Sequence, residues 1–510
     1  MKRIIFSVCL FLIMTVGCIM LVSCNSAKET IVYSDNTSQK NEKEDKPVIL
    51  ENSVEIDGLI LNLNNDKSAY IISDYVGNKK DITLPSSYSN IPVNVIGERA
   101  FTGNQLIEKI NIPNSFVDIG KYAFYECRQL ENIIFSNGLK VINDFAFYGC
   151  EKLQKVAIPD SVDSMGASSF GACIALKEIS IPFVGQSIGC TTANSYFKYI
   201  FGSPESLMNV EKVSIGRGVI NNAAFQSNTK IKDVYIGDKV TEISGNAFNS
   251  CKELTTVSIG NGVSSIGVNA FKSCEKLESV IIPDGVISID NYAFSLCKKL
   301  SYIKLGKNIR TLGEGVFQNC VELEEITIPQ NVYSIGSLLF AGCDKLNSVS
   351  VESGNNKYDS RNNCNAVIET ENNKLIAGCN NTVVPNDITS IGNYAFYGCK
   401  GISTINIPNS VATIGEYAFS GCISLTSISL PNNLPSLERG IFNGCSSLTS
   451  ITIPVSVESL KNVSLYNCTS LSEITYEGTV AQFNSVSKEI TWYGNIIATS
   501  VTCSNGAVSL

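Results

Sequence analysis

The 510-residue sequence contains no histidine. That absence removes the usual general base near neutral pH and the commonest nitrogen ligand for metals, so any catalytic reading would have to work without imidazole. Basic side chains are also in deficit, with 39 Lys and Arg against 47 Asp and Glu and a formal net charge of −8. Nucleic-acid binding depends on basic patches that release counterions, and this balance disfavours it. A single Trp is present, and beyond Cys24 no apolar run is long enough to suggest a membrane span. What remains is a chain with 44% apolar side chains. It is too long for one compact core unless that core is extended by repetition.

The N-terminus reads as an export leader. Lys2 and Arg3 give a positive start and Ile4 to Met20 is mostly apolar. The next residues, Leu21-Val22-Ser23-Cys24, resemble the lipobox of bacterial lipoproteins. The resemblance implies cleavage before Cys24, a diacylglycerol on its thiol, and anchorage to a membrane through lipid. Other readings stand beside it. Thr15-Val16-Gly17-Cys18 is a poorer lipobox, about 19 apolar-leaning residues could just span a bilayer uncleaved, and ordinary secretion is the last. With residues 1–23 as signal peptide, the mature chain carries 37 basic and 47 acidic residues. Residues 24–49 are then a polar tether with little to bury.

Beyond the tether the sequence keeps time. Phe recurs every 23 residues at 101, 124, 147 and 170, again from 225 through 248, 271, 294 and 317 to 340, and at 396, 419 and 442. Leu465 takes the next beat, which makes fourteen marked turns, and the two breaks span 55 and 56 residues. A fixed residue type at fixed phase must face one shared core. The run Leu-x-x-Ile-x-Ile, as in Leu277, Val280 and Ile282, alternates and is β-branched, so it predicts a short parallel strand. Pro often follows at once, as at Pro113, Pro159, Pro283, Pro329, Pro408 and Pro454, where its missing N–H ends the ladder. Four residues before Phe stands Gly at 97, 120, 166, 267, 313, 336, 392 and 415, with Asn143, Asn221 and Asp290 in equivalent places. These residue types tolerate positive φ, which predicts a sharp bend there.

The segment Ile407-Pro408-Asn409-Ser410-Val411-Ala412-Thr413-Ile414-Gly415-Glu416-Tyr417-Ala418-Phe419-Ser420-Gly421-Cys422 closely resembles the repeat of BspA-like leucine-rich-repeat surface proteins. The resemblance covers roughly residues 56 to 476. It implies a β-rich repeat solenoid, a right-handed leucine-rich-repeat coil with short parallel strands, of about 14 turns plus two long inserted units. The solenoid is placed at residues 50–476, with an N-terminal cap unit at 50–95 and insertions at 183–212 and 352–383. Residues 477–510 break the repeat and read as a C-terminal cap, needed because an open sheet edge invites aggregation. One coil, before Phe225, is two residues short.

Nineteen Cys in an exported chain would ordinarily suggest a disulfide framework. Phase argues otherwise: twelve of them, Cys127, Cys150, Cys173, Cys251, Cys274, Cys297, Cys320, Cys343, Cys399, Cys422, Cys445 and Cys468, lie three residues after the marker, in a slot that holds Asn104 and Asn228 elsewhere. They are expected to form a ladder of buried, reduced thiols, each meeting turn backbone. Disulfides between neighbouring coils stay open, because the coil spacing overlaps the usual Cα separation. Cys364 and Cys379 flank a predicted hairpin and are the better disulfide candidates. A zinc site would need a tetrahedron of ligands and no such spacing occurs, so no metal or cofactor is expected.

Strand positions between the apolar ones should point outward and form columns. Early coils carry charge there, as in Glu131, Lys155, Lys177-Glu178 and Lys232-Asp233, and later Glu324-Glu325; Tyr235 and Tyr302 interrupt the middle. Late coils carry Ser403, Thr404, Asn406, Thr426, Ser427, Ser429, Thr449, Ser450 and Thr452, with Ser472-Glu473-Thr475 beyond, a hydroxyl field and the candidate binding face. The expected function is a surface-anchored adhesion or binding protein, not an enzyme. Its expected partner is a host or matrix protein or a glycan, taken by the solenoid face and the insertions; glycan capture in a nutrient-uptake system is the alternative.

Overall fold

A computed structural model describes residues 53–191, 195–202 and 209–510. The leader and the whole tether, with Cys18 and Cys24, lie outside the described residues. Each regular coil contributes two short strands. The first is the predicted one: Ser279–Ile281 runs parallel to Tyr302–Lys304, pairing Ser279 with Tyr302 and Val280 with Ile303. Its middle residue points into the core and its flanking residues point out, the period-two rule in three residues.

The second ladder was not foreseen. Two residues just before each Gly, such as Ser265–Ile266, Ser288–Ile289 and Thr311–Leu312, pair in parallel with their counterparts 23 residues on. The coil is therefore held to its neighbours along both ladders, and the Phe arm adds a third line of backbone bonds between coils. About eighteen turns result, the fourteen marked ones together with those that the inserted units and caps complete.

The Gly before each Phe has a different reason from the expected bend. None of Gly97, Gly120, Gly166, Gly267, Gly313, Gly336, Gly392 or Gly415 has positive φ. A Cβ on Gly120 would stand 2.7 Å from the backbone of Glu98 and Gly97, and one on Gly267 would stand 2.6 Å from the nitrogen of Gly245. These glycines let one coil's backbone lie against the next. The left-handed residues sit two before and two after the marker, as in Tyr122 (φ 57°) and Glu126 (φ 54°) around Phe124, or Tyr417 (φ 54°) and Gly421 (φ 73°) around Phe419. Recurrent Gly at 103, 149, 342, 398, 421 and 444, with Asn319 and Asn467, was the readable signal for the second of these.

Between those bends the Phe rings stack face to face. Centroids lie 4.8 Å apart for Phe101 and Phe124, 5.0 Å for Phe124 and Phe147, 5.1 Å for Phe248 and Phe271, and 5.2 Å for Phe271 and Phe294. The residue before each Phe sets this pitch. Where buried Ala123, Ala146, Ala270 and Ala293 give way to Val316, Leu339 and Ile441, the spacing grows to 6.1 Å at Phe294 and Phe317, 6.3 Å at Phe317 and Phe340, and 5.8 Å at Phe419 and Phe442. Bulk inserted between close-packed layers separates them.

The long units do not interrupt the core. Residues described between 183 and 212 leave the first ladder intact, since Ile179 pairs directly with Val213. Their 3-10 turn Phe197–Ile200 puts the Phe197 ring 4.6 Å from Phe225. In the second unit, Tyr358–Asp359, Ala366–Glu369 and Lys374–Gly378 form an antiparallel trio. Rather than projecting as a loop, it is a partition: Val367 and Ala377 pack into the N-terminal half of the core, while Ala366, Ile368 and Leu375 pack into the C-terminal half. Gly378 has no side chain because the Phe396 ring fills that space, 2.1 Å from where its Cβ would be. An antiparallel hairpin, Ser53–Ile56 with Leu59–Leu63, lies at the N-terminal end and another, Ser500–Cys503 with Gly506–Ser509, at the C-terminal end.

Gly267→Ala is expected to destabilise the fold by about 1–3 kcal/mol, the usual range for overpacking, read as a lower urea midpoint. An unchanged midpoint would mean that the coils do not approach as described.

Candidate binding face

The outward columns of the first ladder form the face on which the candidate residues lie. In its early coils the charges are answered from within. Lys155 reaches Glu178 at 2.7 Å, Lys152 reaches Glu131 at 3.3 Å, Lys212 reaches Asp233 at 3.5 Å, and Lys232 and Lys177 both reach Glu211, at 3.0 and 3.3 Å. Hydrogen bonds from Lys232 and Lys177 hold the Glu211 carboxyl below the usual range. Such exposed pairs add little stability. They do leave this stretch of the face self-satisfied.

The late hydroxyl field divides in two. Thr426 donates its hydroxyl to the carbonyl of Ser403 at 3.1 Å, Thr449 donates to Thr426 at 3.3 Å and Ser472 to Thr449 at 3.3 Å. That column stitches coil to coil. Thr404, Asn406, Ser427, Ser429, Ser450 and Thr452 make no side-chain hydrogen bond among the described residues. Thr404 stands beside Ser427 and Asn406 beside Ser429 in the parallel register. Between the charged and hydroxyl stretches, three large side chains are exposed: Tyr235 at 54%, Ile281 at 61% and Tyr302 at 46%. The sequence reading named both tyrosines but missed Ile281, whose place in the period-two pattern was the available signal.

Behind this face runs the thiol ladder. All twelve cysteines are buried free thiols. Eleven donate S–H to the carbonyl of the Phe one coil back, for example Cys127 to Phe101 at 3.0 Å, Cys274 to Phe248 at 3.2 Å and Cys468 to Phe442 at 3.2 Å. Cys399, which follows the partition, makes no such bond among the described residues: no marker Phe stands one coil behind its own. Asn104 and Asn228 use the slot differently, each accepting two backbone N–H bonds from its own coil, at 2.9 and 3.0 Å in both cases. Both begin a run of marker Phe residues. Cys364 and Cys379 are also buried free thiols, donating toward the carbonyls of Ala366 and Asn365. Among the described residues no group of Cys, Asp and Glu converges as a metal site, and no helix is long and apolar enough to cross a membrane.

A solenoid of stacked leucine-rich coils with a solvent-facing parallel ladder defines a leucine-rich-repeat protein. The family model for the BspA type leucine rich repeat region, in 6 copies, matches residues 94–200, 218–347, 264–370 and 372–487, and the chain belongs to this family. Solenoids of this family are generally non-enzymatic. Solved structures with a similar fold include a leucine-rich repeat protein from Bacteroides ovatus, at 22% identity over 86% of this chain and 99% of that one, TM-score 0.43. Another is a leucine rich cell surface protein from Faecalibacterium prausnitzii, at 21% identity over 85% and 97%, TM-score 0.35. The pneumococcal vaccine antigen PcpA is matched at 16% identity over 88% and 98%, TM-score 0.36. No curated protein matches the sequence.

Burial pushes the ladder thiols up, Cys297 and Cys343 to about 12 from 9.0. The folded state thus favours the neutral thiol. Its stabilisation is whole below the unfolded-state value and is lost as pH rises from about 9 toward 12. The urea midpoint should accordingly fall steeply between pH 8.5 and 11, and a flat profile would contradict a reduced, buried ladder. Thiol titration of the unreduced chain in denaturant should likewise find the twelve ladder sulfhydryls.

Proposed function

We propose that the chain is an exported binding protein, held at the cell surface through lipid on Cys24, whose first-ladder face takes a host or matrix protein. The observation that carries this reading is the set of six outward side chains, Thr404, Asn406, Ser427, Ser429, Ser450 and Thr452, standing in columns with no partner within the described chain. Parallel pairing fixes the spacing of Thr404 and Asn406 against Ser427 and Ser429 before any ligand arrives, which reduces the entropy lost on binding. The exposed Tyr235 and Tyr302 add the large amphipathic contacts that carry most energy in protein interfaces. The Leu21 to Cys24 motif supports the anchor. Neutral hydroxyl and amide groups at regular spacing also suit a polysaccharide, so glycan capture is the second reading.

Replacing the six side chains together by Ala should leave the circular dichroism spectrum unchanged and reduce adhesion to extracellular-matrix protein by at least about tenfold. Unchanged adhesion rejects the reading. Loss of binding on a polysaccharide array, with no matrix binding by the parent chain, selects glycan capture.

A further inference from the structure

The first ladder is not continuous. Ser279–Ile281 pairs with Tyr302–Lys304, and Glu325–Ile328 pairs with Ser348–Val351, but Tyr302–Lys304 and Glu325–Ile328 do not pair with each other. This seam lies where Val316 replaces the Ala before Phe and where the ring spacing first widens to 6.1 Å. A second seam, between Ser427–Ser429 and Ser450–Ile453, coincides with Ile441 and the 5.8 Å spacing. At these two positions a bulky residue in the Ala slot accompanies a break in the surface ladder, whereas at Leu339, with the 6.3 Å spacing, Glu325–Ile328 and Ser348–Val351 stay paired.

At the first seam the opening is a groove of about 370 Å³ on the solvent side of the ladder. Its lining comes from three successive coils: Tyr302 and Lys304 from the first, Glu325 and Thr327 from the second, and Ser350 and Glu352 from the third. Thr327 and Ser350 are hydrogen bonded to each other at 2.9 Å. The charges differ from those of the early coils. Glu325 and Glu352 form no ion pair among the described residues, and Glu352 only accepts the N–H of Gln330 at 3.0 Å. Lys304 lines the groove as well, across the seam from Thr327, and forms no ion pair with either carboxylate among the described residues. An exposed phenol ring beside two unanswered carboxylates, in a chain of net charge −8, is complementary to a planar cation.

We infer that this groove is a subsite for an arginine side chain of a basic polypeptide segment, stacked on Tyr302 and hydrogen bonded to Glu325 and Glu352. The inference rests on the reading of the first-ladder face as a binding face. It names the chemistry of one position on that face. Guanidinium matches the site better than ammonium, because its flat surface stacks on the ring while its edge donates in a fork.

The test titrates fluorescein-labelled hexa-arginine, hexa-lysine and hexa-glutamate peptides into the full chain and reads anisotropy at about 0.15 M salt, where exposed long-range charge is screened. Hexa-arginine is expected to bind more tightly than hexa-lysine, with hexa-glutamate not binding. Tyr302→Ala, Glu325→Gln and Glu352→Gln should each weaken hexa-arginine by about five- to tenfold, while Ile490→Ala on the exposed C-terminal cap leaves it unchanged. Absence of hexa-arginine binding overturns the inference. So does equal binding of the two cationic peptides with no effect of the three substitutions, which would make the contact one of net charge alone. If matrix adhesion falls in the six-Ala variant while the groove substitutions do nothing, the subsite fails and the face reading stands. The converse result retains the subsite and rejects the hydroxyl columns.

Discussion

Phe124 donates its backbone N–H to the carbonyl of Ala146 at 2.7 Å, and the same bond runs from Phe101 to Ala123 and from Phe248 to Ala270. Each links a marker Phe to the Ala just before the marker one coil on. Backbone groups of a buried turn must find partners, and in a solenoid the nearest partner is the neighbouring coil. The regular coils meet that requirement with a 23-residue period, while longer and shorter coils, such as those joining Ile179 to Val213 and Val213 to Val234, restore the same pairing at the ladder. The Phe stack, the thiol-to-carbonyl bonds and both strand ladders all share this register.

Within that frame, small residues carry much of the geometry. Gly in the slot before Ala-Phe removes a Cβ that would meet backbone, and Ala before Phe keeps the rings near 5 Å apart. Where Val316, Leu339 and Ile441 occupy the Ala slot, the coils move apart, and at Val316 and Ile441 the surface ladder opens. A third seam, after Asn132–Ile134, has no widened ring spacing; there Phe135 packs edge-on against Phe147 at 5.7 Å. Core composition thus shapes the outer face from behind.

The outer face is correspondingly uneven in chemistry. Its early charges are spent on each other, one late hydroxyl column is spent on coil carbonyls, and the remaining outward groups face solvent. The partition at residues 358–378 contributes buried strands instead of exposed loops. Its Arg361 is tied to Asp359 at 2.8 Å and to Asp387 at 2.6 Å, which clasps the unit to the coil that follows. Recognition is therefore sought on the ladder rather than on this insertion.

The repeat period, the first strand ladder, the inward thiol slot and the family were all legible in the sequence, because a stacked fold must repeat its residue types at fixed phase. The division of the hydroxyl field was not legible: Thr426 and Ser427 are adjacent and chemically alike, yet one bonds to a carbonyl 23 residues away and the other does not. Nor was the true role of the glycines, since residue type alone does not separate a positive φ from a close approach. The second ladder is only two residues per coil, too short to show periodicity. Sequence by itself determined that these coils stack and which residues face inward. Only the tertiary structure decided how closely each pair approaches, and so where the sheet opens and which surface groups stay unsatisfied, because those depend on side-chain volumes acting across neighbouring coils.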